Sequence, residues 1–165
     1  MSDMFKHSEV KILFPGINPR SLISWSERKL LKPLKDADGR GSSREYSFTN
    51  LIEISIIDEL FQYRIPFSQI NLAMQNAEMK KSLNLSQYDS VFYILHKRIY
   101  EADSPEPCIS LGIMNIKDFY QAGTEAMIGQ TPWSSTSKVI TSLLVINISA
   151  HYEYVKWMVS KLGNR

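Results

Sequence analysis

The stretch Gly16-Ile17-Asn18-Pro19-Arg20-Ser21-Leu22-Ile23-Ser24-Trp25 constrains the fold more than any other part of this 165-residue chain. Pro15-Gly16 marks a turn. Asn18 has a side-chain oxygen that can accept from the first free amides of a helix. Pro19 suits the first helical position, where its missing N–H costs nothing. Leu22 and Trp25 are three apart and share one face. Arg20, Ser21, Ile23 and Ser24 then point elsewhere. The spacing predicts a short capped helix over 19–30 that buries two apolar residues and turns small and basic ones outward. After a glycine turn, such a helix has the form needed to enter a DNA major groove.

The charge distribution agrees. Between Asn18 and Arg44 there are seven lysines and arginines against three acidic residues, a local charge of +4 where the whole chain carries +2. Such a cluster is either a solvated face or an electrostatic footprint for nucleic acid. The run from Lys32 to Arg44 holds Pro33, Asp38-Gly39-Arg40-Gly41 and Ser42-Ser43. It has no periodic apolar face, so it reads as a loop or short hairpin.

The segment before this core, Ser8 to Phe14, reads as a first helix of about two turns. Beyond it, Ser47 can cap a helix that carries Leu51, Ile54, Ile57, Leu60 and Phe61 at helical spacing. Pro66 ends that pattern. Phe67 or Ser68 opens a further helix with Ile70, Ala73, Met74 and Ala77 on one stripe. The composition then changes near Leu83 to Asp89. Val91–Ile99, Ile109–Met114 and Val139–Ile148 are rich in β-branched or aromatic residues and read as strands. Ile116, Phe119, Tyr120, Gly123 and Met127 fit a helix, and Tyr152, Val155, Val159 and Leu162 fit a terminal one. The expected class is α+β, with a helical part at 1–83 and a small β-β-α-β-α domain at 90–165.

Residues 8–80 resemble the winged helix-turn-helix domain of the MerR family of bacterial transcription regulators. Family members typically read G-V-S-P-R-T-L-R-Y-Y-E-R-x-G-L-L, which aligns without a gap on Gly16 to Leu31. The family's wing ends G-Y-R-x-Y-S, and here Ser42-Ser43-Arg44-Glu45-Tyr46-Ser47 stands in its place. Arg64-Ile65-Pro66-Phe67-Ser68-Gln69-Ile70 is similar to the G-F-S-L-E-E-I that opens the family's fourth helix. The resemblance implies that Arg20, Ser21, Ile23 and Ser24 face double-stranded DNA. It also implies that Arg44 and Tyr46, with Arg40 and Ser43 beside them, meet the phosphate backbone. Arginine suits phosphate because its planar fork donates two parallel hydrogen bonds.

The chain departs from the family at several points. Ile23-Ser24 replaces the usual Arg-Tyr, which removes a cation and a phenol. Lys29 replaces the helix-ending glycine. The long dimerisation helix of the family is expected to be short or absent, because Asn84 to Arg98 has no sustained heptads. If the protein pairs, the surface comes from the downstream part. Tyr154 and Trp157 lie off the apolar stripe of the terminal helix and mark a candidate homodimer interface.

No catalytic constellation emerges: there is no Walker loop, no HExxH and no Gly-x-Ser-x-Gly. An enzyme is therefore not expected, nor a cofactor. His7, His96 and His151 share no ligand spacing, and a lone Cys108 supplies neither a disulfide nor a multi-thiolate metal site. Glu101, Asp103 and Glu106 read as a solvated loop. No signal peptide or membrane span is legible, so a cytoplasmic protein is expected. The expectation is a DNA-binding transcription regulator with no effector specified. The alternatives are an architectural, excisionase-like DNA binder and a protein-interaction module that has lost DNA binding.

Overall fold

The computed structural model describes residues 4–37, 43–75, 90–99, 107–115, 117–121 and 138–162. Of 90–99, 107–114 and 138–143 it describes the backbone alone. Helix and strand are mixed in an α+β arrangement. The chain divides into two compact units, 1–86 with 150–165, and 87–149.

In the first unit, β1 (Met4–Lys6) runs straight into α1 (His7–Leu13), and α2 spans Pro19–Glu27. β2 (Glu45–Ser47) leads into α3 (Phe48–Gln62), followed by α4 (Phe67–Gln75). β1 and β2 pair antiparallel, with Phe5 opposite Tyr46. Lys35 and Glu45 exchange both backbone hydrogen bonds at 3.0 and 3.1 Å, which closes the base of the 36–44 loop. The last helix, α5 (Ile148–Leu162), belongs to this unit from Ala150 onward. The sequence places residues 150–165 with the downstream strands instead. The difference arises because α5 finds its partners on α3, roughly ninety residues earlier in the chain.

The caps explain the helix boundaries. Asn18 accepts from the Arg20 amide at 2.9 Å. Ser47 Oγ accepts from the Asn50 amide at 3.1 Å, and Asn50 Oδ1 accepts from the Ser47 amide at 3.0 Å. This reciprocal pair satisfies two otherwise orphaned donors. At its other end α2 closes with a Schellman motif: the Leu30 amide donates to Trp25 and the Lys29 amide to Ser26. α3 closes the same way, with Ile65 donating to Leu60 and Arg64 to Phe61. Both motifs need a left-handed residue. Lys29 (φ 60°) and Arg64 (φ 57°) supply it where glycine would be unstrained.

α3 is apolar nearly all round. Leu51, Ile52, Ile54, Ile56, Ile57 and Leu60 have no exposed surface. A helix of this kind needs several elements packed against it. Leu22 and Trp25 of α2, Ile70 and Ala73 of α4, and Val155 and Met158 of α5 are buried in the same unit. Trp25 stacks on Phe61 with ring centroids 5.5 Å apart, and the Arg28 guanidinium lies 3.4 Å from the Phe67 ring centre.

The second unit is a three-stranded antiparallel sheet of β3 (Ser90–Ile99), β4 (Pro107–Asn115) and β5 (Lys138–Asn147). The order is β4-β3-β5, with a register irregularity between His96 and Lys97 against β5. These strands fall within two residues of the positions that the β-branched runs predict. The chain is helical at 117–121, inside the span expected to be a helix. Ala77, Gly123 and Met127, and the acidic loop residues Glu101, Asp103 and Glu106, lie outside the described residues.

The left-handed site at Lys29 is testable. A Cβ there costs roughly 1–2 kcal/mol. Lys29→Gly is therefore expected to be more stable than Lys29→Ala by about 1 kcal/mol in urea unfolding, the reverse of their order in an ordinary helix. Alanine equal to or above glycine contradicts the strained cap.

Candidate functional site

α2 presents two faces. Leu22 is fully buried and Trp25 nearly so, while Arg20 is exposed and Ser21, Ile23 and Ser24 are half-exposed. The first turn is held by the Asn18 cap and Pro19, so Arg20 leaves the helix at a fixed start. These four residues sit together on the outer side of one short helix, as their spacing predicts.

The residues that the resemblance places on a wing divide. Ser43 is exposed, and its hydroxyl donates to the Arg44 carbonyl at 3.4 Å. Arg40 lies outside the described residues. Arg44 is engaged: its Nε sits 2.6 Å from Asp36 Oδ1, with the Arg44 side chain 16% exposed and Asp36 65% exposed. Asp36 is held below the usual carboxylate range by the Ala37 amide first and by Arg44 second.

Tyr46 has no exposed surface, so its ring is a core group rather than a phosphate contact. It stands opposite Phe5 in the β1–β2 pair, and its Oη lies 3.3 Å from His7 Nδ1. Burial raises the phenol above its usual value, against the opposite pull of Arg44 and Ser26. The alternation of a three-residue strand is what turns it inward: Glu45 and Ser47 are half-exposed on either side.

The buried polar residues of α3 were not singled out by sequence. Asn50 donates to the Lys32 carbonyl at 2.9 Å and to Glu53 at 2.8 Å, tying the chain after α2 to the start of α3. Ser55 Oγ lies 2.7 Å from His151 Nδ1, and His151 Nε2 lies 2.7 Å from Glu59 Oε2. With a neutral imidazole, Ser55 donates to Nδ1 and the Nε2–H donates to Glu59. Ser55 and Glu59 are one helical turn apart and grip the ring together. The Ser–His–Glu order is that of a nucleophilic relay, but Ser55 lies mid-helix, where neighbouring amides serve the α3 ladder. Such amides are not available to hold an oxyanion. The relay fastens α5 to α3, helped by Phe48 packing edge-on to Tyr152 at 5.6 Å.

Beside this relay lies a hollow of about 570 Å3 between α3 and α5. Tyr154 and Trp157 stand on the outer side of α5, 50% and 57% exposed, with their rings stacked 6.4 Å apart. Among the described residues no group of three His, Cys, Asp or Glu side chains could hold a metal ion, and no helix is long and apolar enough to cross a membrane.

Burial pushes the His151 imidazole below the usual histidine value, against the upward pull of Glu59. His7 is also held low, by burial first and then by Lys11 and Arg44. A depressed histidine takes its proton more readily in the unfolded chain. As pH falls through about 6.5 the unfolded state therefore gains protons first, and stability declines. The urea midpoint is expected to drop between about pH 7.5 and 5.5, and to drop less when His7→Gln and His151→Gln are combined. An equal decline with and without the two histidines contradicts this.

No protein-family model matches the chain, and no curated protein matches its sequence.

Proposed function

We propose that the protein is a DNA-binding transcription regulator. In this reading the first unit has the winged helix-turn-helix form of the MerR family, with α2 in the major groove and the 36–44 loop along the phosphates. The single observation that carries it is the division of α2. Leu22 and Trp25 are buried, while Arg20, Ser21, Ile23 and Ser24 are presented outward from a capped start. The basic residues around α2 and the loop support it by charge. Arg20 provides the fork for a guanine edge, Ser21 and Ser24 the short hydroxyls, and Ile23 the apolar contact for a thymine methyl. The Arg44–Asp36 ion pair adds a condition: Arg44 must exchange Asp36 for a phosphate oxygen.

About four phosphate contacts predict a log–log salt slope near −3.6. Arg20→Ala is expected to lower the preference for a specific site. Arg44→Ala is expected to weaken all duplexes alike and make the slope shallower. Asp36→Ala frees Arg44 and is expected to tighten binding by about two- to fivefold, about what one exposed ion pair is worth. A fluorescence-anisotropy titration shows these effects. No binding at low salt, or binding indifferent to salt, contradicts the reading.

A second reading, a protein-interaction module with pairing through the terminal helix, is favoured by the exposed Tyr154–Trp157 stack. Aromatics that leave water on association commonly dominate interface energetics. It predicts a concentration-dependent dimer in sedimentation, weakened about thirtyfold by Trp157→Ala. A full-length monomer at high concentration removes it.

A further inference from the structure

From the hollow between α3 and α5 we infer a binding site for a small organic cation carrying an aromatic or bulky apolar group. Its volume, about 570 Å3, lies within the range of small-molecule sites. Asp58 and Glu59 bring two carboxylates to its wall. Phe14, Tyr63 and Tyr154 line it as well, from the chain after α1, the end of α3 and the middle of α5. Among the described residues no lysine or arginine lines it.

The chemistry selects a cation over other ligands. Burial opposes the charged form of the His151 imidazole, against the upward pull of Glu59. A neutral His151 does not cancel the carboxylates. Glu59 is 36% exposed and Asp58 is half-exposed, and both stand on the wall of the hollow. Low-dielectric walls around like charges concentrate the field and favour an opposite ion. Tyrosine and phenylalanine faces attract an ammonium group and also receive an apolar body. An anion meets two carboxylates here, and a neutral aromatic forgoes the attraction. This site is separate from the outer face of α2, so it stands or falls independently of DNA binding.

The test is isothermal titration calorimetry on the full chain with benzyltrimethylammonium as the probe. Benzyl alcohol and phenylacetate serve as neutral and anionic counterparts. The expected result is one saturable site for the cation, with both counterparts at least tenfold weaker. Asp58→Asn removes a charge whose protein contact is an exposed Gln62 amide, and Tyr154→Leu removes an aromatic face that is half-exposed. Each is expected to weaken the cation about three- to tenfold with the unfolding midpoint unchanged. The inference is overturned by no saturable binding, by equal affinity for benzyl alcohol, or by undiminished affinity in both variants.

Discussion

The first unit depends on one constraint: α3 carries more apolar surface than a single neighbouring element can cover. Six of its aliphatic residues are completely buried, so several elements must pack against it. α2 answers with Trp25 against Phe61, and α5 answers with the His151 relay and the Phe48–Tyr152 contact. Burying polar groups inside such an assembly is costly unless each is satisfied. Asn50 and Ser55, the two buried polar residues of α3, are both satisfied, Asn50 by the Lys32 carbonyl and Ser55 by His151. The same bonds tie α3 to the chain after α2 and to α5.

This division of labour extends to the cations. Arg28 lies over Phe67 and Arg44 faces Asp36, so both act within the fold. Lys29 and Arg64 turn their backbones left-handed to end helices. The net +4 of residues 18–44 already counts Asp36, and two of its seven cations, Arg28 and Arg44, are engaged within the fold. The proposed groove contact rests on Arg20 more than on the total, and the Asp36 exchange makes the loop's contribution conditional.

Much of this was legible where local chemistry decides. Asn18-Pro19, Ser47 and Pro66 set helix limits through caps and a missing donor, and those signals lie within a few residues of the boundary. The β-branched runs of the second unit marked its three strands. Three features left no local trace. β1 is three residues long, too short for an alternating pattern to stand out, and so its pairing with Tyr46 was invisible. That pairing buries Tyr46, which the family resemblance placed on DNA. The Ser55–His151 bond joins residues 96 apart in sequence. A serine and a histidine carry no mark of their partnership, so α5 was read with its nearest neighbours in the chain. The hollow it forms with α3 was equally hidden, because its two walls lie far apart in the chain.

The proposed DNA contact lies on the outer face of α2 and leaves α5 away from the duplex. Amide chemical shifts of the 15N-labelled full chain, followed as a short duplex is added at low salt, test it directly. The expected perturbations concentrate at residues 18–24 and 43–45 and weaken as salt rises, with the amides of Val155 to Val159 unmoved. Shifts confined to Tyr154, Trp157 and their neighbours, with α2 silent, would contradict it.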